Sequence, residues 1–354
     1  MILLDKGYTM FGERLKRARI KSGFSMQELV DRASRIVSKQ SISQYEKNLK
    51  TPSSTVLIAL SNALGVQVEY FFRNVSVDIG EVDFRKQSTF GNKKQEILKE
   101  RVREYLERYV EVENILESDC FFNNPLKGEV VHSYEDIEDV AHRLRNVWHL
   151  GLDPISNVIE MLELQNIKVL LIDENSKFNG LCGKVNEEQS HYFIVLNNST
   201  ALSSDRKRFT AVHELAHLVL PSHQLDEEKV SDRLAGAFLF PKESVINEFG
   251  DKRTKISMEE LSHIKQKYGI SIAGIIFRLR QLNIINEAVF KRFWILNRSA
   301  RFDDKYPYTQ EIKTSRFHNL LAHAYSEELI SLSKLAALSG LSVDAAVRKY
   351  GEMF

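Results

Sequence analysis

The sequence predicts an α+β fold that is predominantly helical, and three observations support this prediction. Apolar residues recur at helical spacing along most of the 354-residue chain. Strand-like apolar runs stand out in two short stretches, "IKVLLID" at 167–173 and "HYFIVLN" at 191–197. The length also exceeds what one hydrophobic core usually organises, so we expect several domains. We divide the chain into 1–74, 75–129, 130–285 and 286–354.

The composition is that of a soluble globular protein, with 43% hydrophobic and 27% charged residues. The longest apolar stretches, such as "AGIIF" at 273–277, fall far short of the roughly 20 residues that cross a bilayer. At the N-terminus Asp5 interrupts the apolar run after three residues, so we predict no secretory signal. We therefore expect a cytoplasmic protein without a membrane partner. Cys120 and Cys182 form no CxxC pair and indicate neither a disulfide framework nor a cysteine metal site.

Residues 1–73 form a series of short helices and carry the positive charge. This stretch has twelve Lys and Arg against six Asp and Glu, a net +6, which leaves −5 for the remainder. In "SMQELVDRAS", Ser25 and Glu28 have the spacing of a capping box, and Ser38 caps the next helix, "SKQSISQYEKN". A fourth helix, "TPSSTVLIALSNALG", ends at Gly65, and "VQVEYFF" supplies a short fifth one. A basic head suggests that any polyanion is bound here.

In the second segment we read a linker at 75–88 and a long charged helix at 91–116. The helix has irregular heptads, so we favour packing against its own domain over a coiled-coil homodimer stalk. In the third segment, "ENSKFNGLCGKVNEEQS" joins the two strands through a bulged, glycine-containing connection. The fourth segment returns to helix. Further helices are predicted at 134–165 (two helices), 203–220, 226–240, 257–267 and 271–282.

The stretch "AVHELAHLVL", residues 211–220, has the spacing of a metal site. On a helix, His213 and His217 project from the same face one turn apart, so both imidazoles can reach one ion. Glu214 is rotated about 100 degrees from His213, which places it beside the ion, where a base for a metal-activated water is needed. The alternative is a pair of ordinary histidines on an amphipathic helix. We favour the metal, since HExxH rarely arises by chance.

A catalytic zinc ion needs a third protein ligand and an open position. Four carboxylates follow in "LDEEKVSDRLAGAFLFP", and spacing alone does not choose among them, because acids are also favoured at a helix start as solvated groups. Glu228 and Asp232 are one helical turn apart, so one of them can bind the metal while the other accepts a hydrogen bond from a ligating imidazole. The four candidates are Asp226, Glu227, Glu228 and Asp232.

The stretches "RFTAVHELAHLVL" and "EKVSDRLAGAFLFP" together resemble the ImmA/IrrE family of zinc metallopeptidases, in which HExxH is followed by an E-x-x-A-N-x-F-A-like helix. The resemblance covers about 130–285 and extends weakly to the C-terminus. It implies a zincin-like domain with a small sheet, Zn²⁺ as cofactor, Glu214 as the base and Glu228 as the third ligand. Asp232 takes the asparagine place and is expected to support a ligating imidazole. The sequence departs from the family pattern at Ser231, Asp232 and Leu234.

A zinc peptidase also needs a group that stabilises the developing oxyanion. The candidates near the motif in sequence are His191, Tyr192 and His223. Spacing does not distinguish zinc from manganese as the native ion.

The stretch "SMQELVDRASRIVSKQSISQYEKNLKTPSS" resembles the helix-turn-helix of phage-repressor-like (XRE) regulators. The resemblance implies double-stranded operator DNA as partner, with "SKQSISQYE" as recognition helix in the major groove. The turn "ASRIVS" is about one residue longer than usual. A small helical interaction module with a basic face is the alternative. Candidate base contacts are Lys39, Gln40, Ser43 and Gln44, and candidate phosphate contacts are Gln27, Lys47 and Asn48.

Two functions fit these features. The first is a DNA-binding regulator fused to a zinc-dependent peptidase that cleaves a specific partner, such as a repressor or antitoxin, or itself. The second is a DNA-binding regulator or antitoxin-like protein whose zinc domain is a sensor or scaffold without peptidase activity. The intact Glu214 favours the first, because a structural zinc site has no need of a base there.

Overall fold

A computed structural model describes residues 3–73, 91–118, 121–174, 178–185, 191–220, 225–297 and 302–351. The predicted linker at 75–88 lies outside these ranges, as do His223 and Cys120. The chain divides into two compact units. One comprises Met1–Cys120, Val185–Gln189 and Arg316–Phe354, and the other Phe121–Lys184 and Ser190–Ser315. The four-segment division remains a prediction.

The fold class is confirmed, since sixteen α-helices and a three-stranded sheet account for the regular structure of the described ranges apart from short 3-10 turns. Among these helices none combines the length and apolar character that crossing a bilayer requires. The helices of the first unit are α1 (Leu3–Lys21), α2 (Met26–Arg32), α3 (Lys39–Glu46), α4 (Ser54–Leu64), α5 (Asn92–Ile115), α14 (Arg316–Ser326), α15 (Leu332–Ser339) and α16 (Val343–Tyr350), and a 3-10 helix spans Val68–Phe72.

The N-terminal helices begin and end where the capping signals predict. The Ser25 hydroxyl accepts from the Glu28 N–H while the Glu28 carboxylate accepts from the Ser25 N–H, and Ser38 caps α3. Gly65 ends α4 in the left-handed region at φ 64°. One cluster of buried residues joins these helices. It includes Phe11, Leu15, Leu29, Val37, Ile42, Tyr45, Leu60 and Phe71.

The long charged helix α5 packs against α1 on one side and against α14 and α15 on another. Its apolar contacts with the C-terminal helices include Tyr109 stacked on Phe317, with ring centroids 5.1 Å apart. The helix therefore packs against other helices of its own unit, as the irregular heptads predict.

Buried ion pairs connect α1 to α5. Glu107 of α5 accepts from both Arg14 and Arg17, and Glu104 accepts from Lys21. Glu107 and Arg14 are each less than a tenth exposed, so removal of Glu107 leaves the buried Arg14 guanidinium without its carboxylate partner. Arg73, just after the 3-10 helix, pairs with Glu111. The helix-turn-helix is thus held to α5 by four basic side chains.

The second unit contains α6 (Asp136–Val147), α7 (Val158–Leu164), β1 (Lys168–Ile172), β2 (Gly180–Val185), β3 (His191–Asn197), α8 (Ser204–Val219), α9 (Glu227–Leu239), α10 (Lys242–Phe249), α11 (Met258–Tyr268), α12 (Ile272–Gln281) and α13 (Glu287–Leu296). The order is β1-β3-β2, and β1 runs parallel to β3 with Lys168 opposite Phe193.

Two elements correct the sequence interpretation. The segment "ENSKFNGLCGKVNEEQS", predicted to be a bulged connection, contains the strand β2. Its Gly180 and Gly183 lie where neighbouring residues leave no space for a Cβ. The helix α10 was not among the predicted helices, and Pro241 is its N-cap residue, with its carbonyl accepting from the Val245 N–H.

The core of this unit lies between the sheet and helices α6 to α9. Val212, Ala216 and Val219 of α8 are buried there, and Phe209 is partly buried against the same cluster. Two buried arginines hold the end of α9: Arg145 donates to the Phe238 carbonyl and Arg278 to the Phe240 carbonyl. The helix that carries the downstream carboxylates is therefore fixed at its C-terminal end.

Candidate metal centre and nucleic-acid interface

Helices α8 and α9 pack side by side and bring the two parts of the metal motif together. His213 and His217 lie one turn apart on α8, half-buried, with ring centroids 4.8 Å apart. Their Nε2 atoms are 3.1 Å apart. Glu228 of α9 brings Oε2 to 3.3 Å from Nε2 of His213 and Oε1 to 3.7 Å from Nε2 of His217. One atom from each of these three residues lies within 4.8 Å of the others.

The opposite nitrogens of both imidazoles face acceptors on α9. Nδ1 of His213 is 2.8 Å from Oδ1 of Asp232, and Nδ1 of His217 is 3.1 Å from Oε1 of Glu227. The Ser231 hydroxyl is also 3.1 Å from Nδ1 of His217. A carboxylate oxygen can only accept a hydrogen bond, so in each histidine Nδ1 carries the proton and donates it to the carboxylate. The Nε2 atom of each ring is then unprotonated and presents its lone pair.

This donor set fits a divalent cation. Two Nε2 lone pairs facing each other at 3.1 Å repel unless a positive charge lies between them, and the Glu228 carboxylate adds negative charge at the same point. Burial disfavours protonation of His213, but its hydrogen bond to the Asp232 carboxylate and the negative charges of Glu214, Asp232 and Glu228 outweigh burial and raise the pKa of His213. The site thus attracts cations.

The four downstream carboxylates occupy different places. Asp226 caps α9 by accepting from the Lys229 N–H, and this hydrogen bond lowers the pKa of Asp226. Glu227 and Asp232 face the Nδ1 atoms, and only Glu228 of the four lies near both Nε2 atoms. The acids that the sequence left unresolved are therefore separated by geometry into a cap, two imidazole partners and one candidate ligand.

Glu214 is half-buried, and its side chain runs along the start of β2. A Cβ added at Gly180 would lie 3.2 Å from Cγ of Glu214 and 2.7 Å from Cγ2 of Thr210. Glycine at this position therefore leaves space for the Glu214 stem. Sequence reasoning missed Gly180 and the contacts of Glu227 and Ser231 with Nδ1 of His217. The glycine-containing stretch "FNGLCGK" was the sequence signal that could have indicated a special role for Gly180.

The oxyanion candidates that the structure describes are engaged in packing. The His191 ring lies 5.2 Å from the ring of Phe121, and burial, with the charge of Lys168, lowers the pKa of His191 to about 4. Tyr192 packs edge-on against Phe122 and joins the main core. His223 lies outside the described residues, and an oxyanion role for it stays a prediction.

The candidate DNA-contacting residues lie along α2 and α3. Ile42 and Tyr45 are buried, and the side chains between them point away from the core. Arg19 of α1 donates to both carboxylate oxygens of Glu46, at 2.6 and 3.0 Å, and so fixes the C-terminal end of α3. Gln27, Lys39, Gln40 and Lys47 are exposed, and Ser43 and Gln44 are partly exposed.

The turn between α2 and α3 contains two consecutive non-glycine residues in the left-handed region, Ser34 at φ 55° and Arg35 at φ 57°. These residues form the longer turn noted in the sequence. The side-chain oxygen of Asn48 accepts from the Gly12 N–H at 2.8 Å and so links the end of α3 to α1. A phosphate contact through the amide N–H groups of Asn48 stays a prediction.

Comparisons with known proteins agree with both parts of this geometry. A family model described as "Helix-turn-helix" matches residues 15–71, which contain α2 and α3. A second model, described as "IrrE N-terminal-like domain", matches residues 163–280, which contain α8 and α9. The chain is also 33% identical over 75 residues to the SPbeta prophage-derived uncharacterized HTH-type transcriptional regulator YonR of Bacillus subtilis (strain 168), covering 21% of this chain and 68% of that protein.

Proposed function

Because the chain belongs to the helix-turn-helix transcriptional regulators and carries a peptidase domain of the IrrE type, we propose that it is an operator-binding regulator that cleaves one specific protein. The substrate is a repressor, an antitoxin or a copy of the chain itself. Zinc is the proposed cofactor, with His213, His217 and Glu228 as its ligands.

The convergence of the two Nε2 atoms and Glu228, with both Nδ1 atoms held by carboxylates, is the observation that supports this proposal most strongly. Three protein ligands leave a fourth tetrahedral position for the reactants. When bound, zinc supplies a Lewis acid that polarises a peptide carbonyl and makes a water molecule more acidic.

Glu214 is the proposed general base. It follows His213 directly on α8, its stem lies in the space that Gly180 leaves open, and it is not one of the three residues that converge as candidate ligands. In this role Glu214 takes a proton from the attacking water and returns it to the leaving amine, as a general base and then a general acid.

The sheet offers a way to hold an extended substrate. In the described sheet β2 is an outer strand, and it begins at Gly180, in contact range of the Glu214 stem. A peptide added along the free side of β2 gains backbone hydrogen bonds and passes the general base. Such strand addition requires an extended segment in the substrate and would therefore restrict the range of proteins that are cleaved.

The helix-turn-helix is proposed to read an operator through α3. Lys39, Gln40, Ser43 and Gln44 lie on the face that enters the major groove, where glutamine pairs with adenine and lysine with guanine. Gln27 and Lys47 are proposed to contact phosphates.

The decisive experiment compares the wild-type protein with Glu214→Gln. Both are loaded with zinc and incubated with the proteins encoded beside the gene, and the products are identified by mass spectrometry. We expect one cleavage that Glu214→Gln does not perform, while zinc content and operator binding stay unchanged. Glu243→Gln, which removes an exposed carboxylate on α10, is the control and should cleave normally.

Each other outcome identifies the part of the proposal that fails. Equal cleavage by Glu214→Gln contradicts the general base. A wild-type protein that holds zinc and binds the operator but cleaves neither these proteins nor itself contradicts the peptidase and favours the sensor or scaffold.

A further inference from the structure

Helices α15 and α16 repeat the capped helix pair formed by α2 and α3. The Ser331 hydroxyl accepts from the Lys334 N–H, as Ser25 does from Glu28, and Ser342 accepts from the Ala345 N–H, as Ser38 does from Ser41. Each pair thus begins both of its helices with a serine cap. The second pair lies outside both matched family regions, 15–71 and 163–280.

The buried positions of the two pairs also correspond. Leu335 lies four residues after the first cap of its pair and Ala346 four residues after the second, as Leu29 and Ile42 do, and all four are 0% exposed. The turn of the second pair is shorter and contains Gly340, at φ 72°. The C-terminal segment therefore contains a second pair of serine-capped helices with the same spacing of buried residues.

The exposed face of α16 differs in chemistry from that of α3. Val343 and Val347 are 41% and 45% exposed, and Asp344 is exposed beside them. Asp344 and the two valines stand where α3 has Gln40, Lys39 and Ser43, so this face lacks the amides of α3 and carries an acid near the helix start, which disfavours a phosphate backbone. The positions held in α3 by Lys39, Gln40, Ser43 and Gln44 are held in α16 by Val343, Asp344, Val347 and Arg348.

The charges of this face are arranged for a second copy of the same face. Asp344 and Arg348 are four residues apart and exposed, yet they form no ion pair with each other or with another residue in the described part of the chain. When two α16 helices cross antiparallel about a two-fold axis, Asp344 lies opposite Arg348 of the partner subunit. The same arrangement places Val343 opposite Val347 of the partner subunit.

We propose that α16 is the contact through which two copies of this chain associate, with the two valines buried and two Asp–Arg pairs across the axis. The apolar patch is small, so the dimer is weak in isolation. Two half-sites on one DNA molecule strengthen it, because binding the second half-site becomes intramolecular.

Charge reversal in the full-length protein tests this pairing. Sedimentation velocity over a concentration series should show self-association of the wild-type chain. Asp344→Arg or Arg348→Asp alone places like charges together at both ends and should weaken association by at least about tenfold. The double variant restores opposite charges and should recover the wild-type behaviour. Val347→Ser, with the charges intact, should also weaken association.

A matched control is the double reversal of Glu287 and Lys291, an exposed pair at the same spacing on α13, which should leave association unchanged. A wild-type chain that stays monomeric up to about 100 μM overturns the proposal, and so does a double variant that fails to recover. If instead Arg348→Asp weakens DNA binding with association unchanged, α16 contacts DNA and the proposal is wrong.

Discussion

Oδ1 of Asp232 lies 2.8 Å from Nδ1 of His213, so Asp232 of α9 orients the imidazole of His213 on the neighbouring helix α8. Asp232 lies one helical turn after Glu228, the candidate ligand on its own helix. We expect Asp232→Ala to reduce zinc affinity by about 10- to 100-fold without abolishing binding, because the imidazole loses its fixed tautomer and orientation. Competition with a fluorescent chelator measures this. An unchanged affinity would contradict the role of Asp232.

Removal of a ligand should have a larger effect than removal of its support. His213→Ala is expected to lose stoichiometric zinc, because two of three protein ligands do not form the site. Elemental analysis of the purified protein gives the result, and His263→Ala, at an exposed position on α11, serves as control. Full zinc occupancy in His213→Ala would exclude His213 as a ligand.

Gly180 provides a test of the general base that leaves every ligand in place. Gly180→Ala puts a methyl group 2.7 Å from Cγ2 of Thr210, 3.1 Å from the Val195 carbonyl oxygen and 3.2 Å from Cγ of Glu214, so Thr210 must shift and Glu214 must give way by a few tenths of an ångström. We expect cleavage to fall by at least about tenfold with zinc content unchanged. Gly91→Ala, where no atom lies within 4 Å of the added Cβ, is the matched control.

The two kinds of DNA contact predict different phenotypes. Lys39→Ala combined with Gln44→Ala should weaken operator binding and reduce the preference for the operator over random DNA. Lys47→Ala should weaken binding to all sequences alike and reduce the slope of log affinity against log salt by about one. Fluorescence anisotropy across a salt series separates them. Equal effects on specific and random DNA from the first variant would mean phosphate contact only.

Burial of His191 predicts a pH dependence of stability. The unfolded chain takes up this proton near pH 6.5, whereas the folded protein does so only near pH 4. The stabilisation is therefore complete above pH 6.5 and is lost as the pH falls towards 4, by roughly 2 to 3 kcal/mol. His191→Phe should flatten this part of the stability profile in urea unfolding, whereas His263→Gln, at an exposed position, should not.

Sequence reasoning found the elements whose signals are local. Ser25, Ser38 and Ser53 cap the helices predicted for them, because capping depends on residues three positions apart. The HExxH spacing likewise places His213 and His217 together, since both lie on one helix. For the same reason the fold class and the helical character of each segment followed from the sequence.

Features that depend on two distant segments could not be predicted. Glu227 and Ser231 reach Nδ1 of His217 only because α9 packs beside α8 at one particular register. The strand β2 was missed because Gly180 and Gly183 weaken its local strand signal. Glycine is needed at these two positions because a Cβ there would meet Thr210, Glu214 and Phe193. Such positions are set by tertiary packing.

The ion pairs that join α1 to α5 have a mechanical consequence. Arg14 and Arg17 share Glu107 within a largely buried contact, and Arg19 of the same helix holds the end of α3 through Glu46. Helices α1, α3 and α5 are therefore joined by side-chain contacts, so that a displacement of α5 is transmitted to α3. If α3 reads an operator as proposed, such a displacement changes how α3 is presented to the groove.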